Sequence, residues 1–199
     1  MLSPGDGYPT HVEILSTAKV SEQTATNWCG PTSTQMIHWN WGANAFRAQS
    51  FWASELGTGP AGGAGTAIPA MVREVNEWTG WYGPAYAGQY VVLNIGGYTF
   101  DQWYSLNVRH YYAYHAPVVL HPLLSKEFFP YLDDNGSGHF QVGRGYHLNT
   151  DTADQIGYFE PWNQQRFDPS ERFIARVQWR NAILSYRANL AHSLHNIGV

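Results

Sequence analysis

The sequence contains a single cysteine in 199 residues, and this scarcity excludes two kinds of stabilising site. One cysteine can form neither an internal disulfide nor a zinc site built on several thiolate ligands. A chain of this length can bury a core without such cross-links. Cys29 is therefore either a small buried side chain, which is the usual state of a free cysteine, or a reactive thiol.

Charged residues are also scarce, at 13% of the chain, and the formal net charge is -4 with a pI near 6.1. Nucleic acids and anionic membranes attract basic surfaces, so we expect neither as a partner. No window of the sequence approaches the ~20 apolar residues of a membrane span.

The first residues carry no signal-peptide pattern, since Met1–Asp6 has neither a basic start nor an apolar segment. The low lysine content and the many Trp, Tyr, Asn and Gly residues are nevertheless typical of exported bacterial proteins. We therefore expect a secreted or extracytoplasmic location.

Aromatic residues are abundant, at 16% of the chain, with nine Trp and thirteen Tyr. Disordered chains contain few aromatics and many charges, so disorder is excluded. The composition predicts an aromatic-rich core or a groove that binds extended chains. The sequence has neither internal repeats nor a linker, and its length predicts one domain over residues 1–199. We expect this domain to be a monomer.

Apolar periodicity and capping signals predict a helical first part and a strand-rich second part. Helices are predicted after Cys29 and over residues 46–56, 66–78 and 99–112, the last with a capping box of Thr99 and Gln102. Strands are predicted over residues 12–15, 90–95, 116–122, 139–146 and 156–160. This order indicates an α+β fold, in which the cysteine helix packs against the later sheet.

Two other segments have their own signals. Asp168 to Glu171 forms a capping box with Pro at the first helical position, which predicts a long final helix to about His195. Its predicted buried face consists of Phe173, Val177, Leu184 and Leu190. Thr58–Gly65 is predicted as a glycine-rich loop for flexibility or close backbone approach, because it lacks the strand and the Lys-Ser/Thr of a phosphate-binding loop.

The surroundings of Cys29 favour a nucleophile. Gly30-Pro31 follows the cysteine, and Pro is tolerated in a first helical turn, so Cys29 is predicted at a helix N-terminus. Backbone N–H groups and the helix dipole stabilise negative charge there, which favours a thiolate. Gln23 lies six residues upstream and could donate its amide N–H to an oxyanion.

His139 is the best candidate among nine histidines for the base that such a nucleophile needs. It follows a turn of Asp133–Gly138 and opens a predicted strand. Glu160 could accept a hydrogen bond from the far ring nitrogen, and Asn163 is the alternative for that role. Alternation along the strand predicts two faces, one with His139, Gln141, Gly143 and Gly145 and the other with Phe140, Val142 and Tyr146.

Two further pairs of residues are candidates for binding. Trp28 and Trp162 are the tryptophans nearest the predicted site, and we expect them to line the substrate groove. His192 and His195 lie three apart near a predicted helix end, where a metal could bind. No carboxylate shares their turn, and the helix dipole already explains cations there, so we expect no metal and no cofactor.

Four motifs in this order resemble those of the papain-like cysteine peptidases of the bacteriocin-processing (double-glycine leader peptidase) type. They are Gln23 with Asn27–Pro31, Pro117–Leu120, Gly138–Tyr146 and Phe159–Trp162. The closer resemblance is to the stand-alone, C39-like branch common in exported actinobacterial proteins. The resemblance implies a papain-like α+β fold.

The same resemblance implies that Cys29 is the nucleophile, His139 the general base and acid, and Gln23 the oxyanion donor. Glu160 departs from the family, which usually carries Asp before the Pro of this motif. The chain has no transporter segments, so leader processing coupled to export does not follow from the likeness.

Three functional hypotheses follow, of which a cysteine peptidase acting on a peptide or protein substrate through an acyl-enzyme is the first. The same groups could instead pass the acyl group to an amine or deamidate glutamine, as an acyltransferase or glutamine amidase. The third hypothesis is a catalytically silent binding module on a papain-like scaffold.

Overall fold

The computed structural model describes residues 7–41, 46–79, 88–148 and 153–199, and within these ranges the chain forms an α+β fold around one antiparallel sheet. The strands are β1 His11–Glu13, β2 Val92–Asn94, β3 Val118–Leu120, β4 Gln141–His147, β5 Gln155–Phe159, β6 Val177–Asn181 and β7 Asn196–Gly198. The α-helices are α1 Cys29–Asn40, α2 Gln49–Glu55, α3 Ile68–Trp78, α4 Phe100–Arg109 and α5 Ala182–Ala191. None of these helices is long and apolar enough to cross a bilayer.

The sheet has the strand order β2-β7-β3-β4-β5-β6. Strands β3 and β1 pair with the same edge of β4, β3 along its first half and β1 along its second half. Strands β4 and β5 pair antiparallel, with Val142 opposite Phe159. The start of β4 and the end of β5 therefore lie at the same end of the sheet. His139 lies just before β4 and Glu160 directly follows β5, so the topology brings these two residues together.

The two faces of the sheet carry two apolar clusters. Helices α1 to α3 cover one face, where Met36 and Met71 pack with Val142. Helices α4 and α5 cover the other face, where Trp103 and Tyr158 are buried. The sheet is thus a central layer between helices, and its residues are apolar on both sides.

Helix α1 is buried on all sides from Gly30 to His38. A helix buried all round is fixed by several neighbours at once, here α2, α3 and β4. One turn after Cys29, the Ser33 hydroxyl donates to the main-chain oxygen of Phe140 at 3.3 Å. This bond links the helix that carries the cysteine to the residue next to His139.

The predicted final helix is wrong over its first half. Residues Val177–Asn181 form β6, which pairs with β5 along its whole length, and Phe173 is 60% exposed. Asp168 caps only a local turn, in which its side chain accepts from the Ser170 N–H at 2.9 Å. The helix begins after Asn181, whose side chain accepts from the Ile183 N–H. Pairing with β5 determines that residues 177–181 form a strand, and a helical pattern in a single sequence does not contain that information.

The predicted β4 needs two corrections. The strand begins at Gln141, and His139 lies just before it. A bulge between Gly143 and Gly145 reverses the alternation, so Tyr146 packs on the face opposite Phe140 and Val142 rather than with them. The extra residue of a bulge shifts every later side chain to the other face, and the glycines were its only sequence signal.

The capping box of α4 is confirmed, since Thr99 and Gln102 exchange side-chain and main-chain hydrogen bonds. Helix α4 ends at Arg109, and a π-helical turn, His110–Tyr114, follows it directly. Strand β7 was not predicted. Most of the predicted loop 78–89 and the first part of the turn 149–157 lie outside the described residues.

Gly143 provides a test of this packing. A Cβ at Gly143 would overlap the hydroxyl of Tyr111, which donates to Asn107 Oδ1 at 3.0 Å. We expect Gly143→Ala to destabilise the protein by about 1–3 kcal/mol in urea denaturation, because the buried Tyr111 cannot move aside. In a Tyr111→Phe background the same substitution should cost clearly less. An equal cost in both backgrounds would contradict the assigned contact.

Candidate active site

Cys29 is the first residue of α1 and is partly exposed. It lines a cleft of about 360 Å³. Trp28 is the N-cap residue, and its carbonyl accepts from the Thr32 N–H at 3.0 Å. The first turn contains no acidic residue, so the positive end of the helix faces the thiol without a competing side-chain charge. The predicted position at a helix N-terminus is confirmed.

His139 lies against Cys29 in the same cleft. Its main-chain N–H donates to the carbonyl of Pro122 at 2.9 Å, and only 3% of the residue is exposed. The sulfur of Cys29 is close enough to the ring to contribute to raising the pKa of His139. Its Nε2 lies 2.5 Å from Oε1 of Glu160, so Nδ1 is the ring nitrogen that remains for a contact with the thiol.

Glu160 is fully buried, and both of its carboxylate oxygens are satisfied. Oε1 accepts from His139 and from the main-chain N–H of Trp162 at 2.9 Å. Oε2 accepts from Gln141 Nε2 at 2.7 Å and from the Tyr131 hydroxyl at 3.0 Å. Four donors compensate the loss of water that a buried carboxylate suffers. Glu160 is therefore held in place before any substrate arrives.

Sequence reasoning gave no role to two of these four donors. Gln141 was predicted on the same strand face as His139, and a polar side chain in an apolar strand was a usable signal. Tyr131 lies in a loop and carried no such signal. Burial raises the pKa of Tyr131 well above its ordinary value, so its hydroxyl keeps the proton that it donates to Glu160.

Asn163 was the alternative partner for the imidazole, and it makes other contacts. Its Oδ1 accepts from the Ile174 N–H at 3.2 Å, and its Nδ2 lies 3.4 Å from Glu22 Oε2. Of the two candidates, Glu160 is the one in contact with His139. The extra methylene of Glu relative to Asp does not prevent that contact.

The electrostatics of His139 follow from its partners. Burial alone lowers the pKa of His139, because an imidazolium loses its hydration there. The carboxylate of Glu160 and the sulfur of Cys29 act in the opposite direction and raise the pKa to about 10. The protonated ring therefore contributes stability that is complete below the ordinary value of 6.5 and is lost as the pH rises to about 10.

Gln23 is buried but does not direct its amide into the cleft. Its Nε2 donates to the carbonyl oxygens of Ala25 at 2.9 Å and Thr26 at 3.0 Å. Its Oε1 has no hydrogen-bond partner among the described residues. In this arrangement Gln23 braces the loop that precedes Cys29.

The two tryptophans expected in the groove lie in different places. Trp162 lines the cleft and stacks on Phe167, with ring centroids 4.9 Å apart. Trp28 does not line this cleft but borders a separate, open depression that also includes Trp39 and Arg166. Its indole Nε1 donates to the carbonyl of Gly59 at 3.1 Å. Trp28 is not among the residues that line this cleft, and substrate binding stays a prediction for both tryptophans.

Two loops form the walls of the cleft. One is the glycine-rich segment, which contributes Gly62, Gly63 and Gly65. The other is the turn before His139, residues 134–138. Leu123 and Gly138 form an isolated bridge at the base of this second loop. The cleft thus runs between two segments with few side chains, and the thiol and imidazole also line it.

His192 and His195 both lie beyond the end of α5 rather than on one helix turn. The ring of His192 packs on His121 with centroids 3.7 Å apart, while His195 Nδ1 lies 2.7 Å from the carbonyl of Leu190. Among the described residues there is no group of three or more His, Cys, Asp or Glu side chains that could hold a metal ion.

The pKa of His139 is directly measurable by NMR of histidine-labelled protein. We expect its ring to stay protonated at neutral pH and to titrate near 10, since Glu160 supplies the largest of the interactions that raise the pKa. Glu160→Gln should lower that pKa, because it removes the carboxylate charge that offsets the effect of burial on the ring. Tyr131→Phe keeps the carboxylate charge and should leave the pKa raised. A ring that titrates near 6.5 in the unsubstituted protein would contradict the assignment.

Comparison with known proteins adds one finding to this geometry. No curated protein matches the chain. A model of the Peptidase_C39 like family matches residues 16–184. The matched range includes every residue of the cysteine, histidine and glutamate constellation. The chain belongs to the Peptidase_C39 like family.

Proposed function

We propose that this protein is a cysteine peptidase that hydrolyses peptide amide bonds through a thioester acyl-enzyme. The observation that carries the proposal is the buried His139–Glu160 pair in contact with a partly exposed thiol at an open cleft. A protein that only binds peptides has no need for a fully buried carboxylate behind an imidazole. Membership of a peptidase family supports the same conclusion.

In the first half of the proposed reaction, the sulfur of Cys29 attacks the carbonyl carbon of the substrate. A C–S bond forms, and the C–N bond breaks as His139 gives its proton to the leaving amine. In the second half, His139 takes a proton from water, whose oxygen attacks the thioester and releases the acid and the thiolate. Glu160 fixes the ring orientation and stabilises the imidazolium throughout.

The oxyanion needs donors near the sulfur. The first main-chain N–H groups of a helix have no intrahelical acceptor, so the N–H of Cys29 is suited to this role. Gln23 is the second donor that we propose for the oxyanion. To act, its amide must turn one hydrogen from the carbonyl of Ala25 or Thr26 toward the cleft. Substrate binding is the step at which this change would occur.

A fluorogenic peptide library tests the proposal. We expect turnover by the unsubstituted protein and a loss of about 10³-fold or more in Cys29→Ala, since the nucleophile is removed. Cys29→Ser is the matched control for side-chain volume. Equal turnover by all three proteins would end the proposal. Mass spectrometry of the products distinguishes its rivals, because a transferase leaves a new amide with an amine and an amidase converts glutamine to glutamate without chain cleavage.

Thiol labelling distinguishes an enzyme from a silent module. We expect iodoacetamide to alkylate Cys29 near neutral pH faster than it alkylates free cysteine, because the helix N-terminus and His139 favour the thiolate. His139→Ala should reduce the rate at neutral pH. A rate no greater than that of free cysteine, unchanged in His139→Ala, would favour the binding module.

A further inference from the structure

Asn27, two residues before Cys29, directs its whole side chain at the glycine-rich wall of the cleft. Its Nδ2 lies 3.2, 2.9 and 3.0 Å from the carbonyl oxygens of Gly59, Pro60 and Ala64. Its Oδ1 accepts from the main-chain N–H of Gly62 at 2.9 Å. One amide thus binds four main-chain groups of a single loop.

The same loop is fixed at two more points. It closes on itself through the Gly59 N–H to the carbonyl of Ala64 at 3.0 Å, and Trp28 Nε1 donates to Gly59. At its base Thr66 lies so close to Gly30 that a Cβ on Gly30 would overlap it. Residues 27, 28 and 30 surround the nucleophile in sequence, so the loop position is set from the helix that carries Cys29.

A glycine-rich segment does not hold a single conformation by itself. Glycine loses more conformational freedom on ordering than any other residue, and this loop has few side chains to pack. The loop nevertheless forms a wall of the cleft, with Gly62, Gly63 and Gly65 beside Cys29. Bonds from outside the loop must therefore hold the wall at its distance from the thiol.

We propose that Asn27 is a positioning residue that holds the glycine-rich wall, residues 59–65, in the conformation that binds substrate. It acts on substrate affinity and not on the reactivity of the thiol. Asparagine suits this role because one side chain must both donate to carbonyls and accept from an N–H. This inference rests on the proposed peptidase function for its kinetic consequence, while the arrangement of the loop can be measured without substrate.

The test compares Asn27→Ala with the unsubstituted protein. We expect KM for a cleaved peptide to rise about tenfold or more, since several hydrogen bonds that order the wall are lost, with kcat reduced much less. Exchange of the Gly62 amide hydrogen should accelerate, because its acceptor is removed. The rate at which iodoacetamide alkylates Cys29 should stay within about twofold of the original.

Two other variants make the result specific. Asn27→Asp keeps the acceptor for Gly62 but loses the three donor contacts and sets a carboxylate against carbonyl oxygens, so KM should rise here too. Asn76→Ala is the matched control. Asn76 makes the same two-way bond to the main chain of Tyr90, at 2.9 and 2.8 Å, away from the cleft. It should lower stability without raising KM.

Several outcomes would overturn the inference. Unchanged KM and unchanged Gly62 exchange in Asn27→Ala would show that Asn27 does not hold the wall. An equal loss of kcat and of Cys29 alkylation would place Asn27 in the catalytic machinery instead. If the unsubstituted protein cleaves no peptide, the proposed function fails, and Gly62 exchange still decides whether Asn27 holds the loop. If Asn27→Ala does not fold, Asn27→Asp decides the kinetic part.

Discussion

The contact between Glu160 and His139 is the constraint on which the rest of the site depends. A fully buried carboxylate loses its hydrogen bonds to water, and four donors within the protein replace them at Glu160. They come from the loop before β4, from β4 itself and from the segment after β5. Removal of one partner of a buried ion pair typically costs ~3–5 kcal/mol, so these segments are fixed together.

Cys29 is carried to this pair by a helix that is packed on all sides. Helix α1 is buried from Gly30 to His38, and Ser33 bonds the main chain beside His139. Thr26 and Asn27, which shortly precede Cys29, line the cleft, and Asn27 binds the glycine-rich loop there. One helix N-terminus thus sets both the position of the sulfur and the shape of the surface next to it. This combination explains how a loop of glycines can form part of an ordered site.

The sequence predicted the residues of the site better than their surroundings. Cys29 and His139 were recognisable as candidates because each carries a local signal, the Gly-Pro start of a helix for Cys29 and a glycine before a strand for His139. The prediction of a long final helix failed because the pairing of Val177–Asn181 with β5 is a tertiary contact that the local pattern does not contain. The hydrogen bonds of Gln23 were not predictable for a related reason, since only the folded loop places the carbonyl oxygens of Ala25 and Thr26 beside its amide.

We propose that the sulfur of Cys29 and the imidazole of His139 act as one reactive unit. Peptide mapping by mass spectrometry after reaction with a peptidyl vinyl sulfone tests it most directly, because this probe needs both a thiolate and a bound peptide backbone. We expect one adduct, on Cys29, that forms rapidly in the folded protein and is largely lost in His139→Ala. An adduct that forms no faster than on free cysteine, or equally in both proteins, would contradict it.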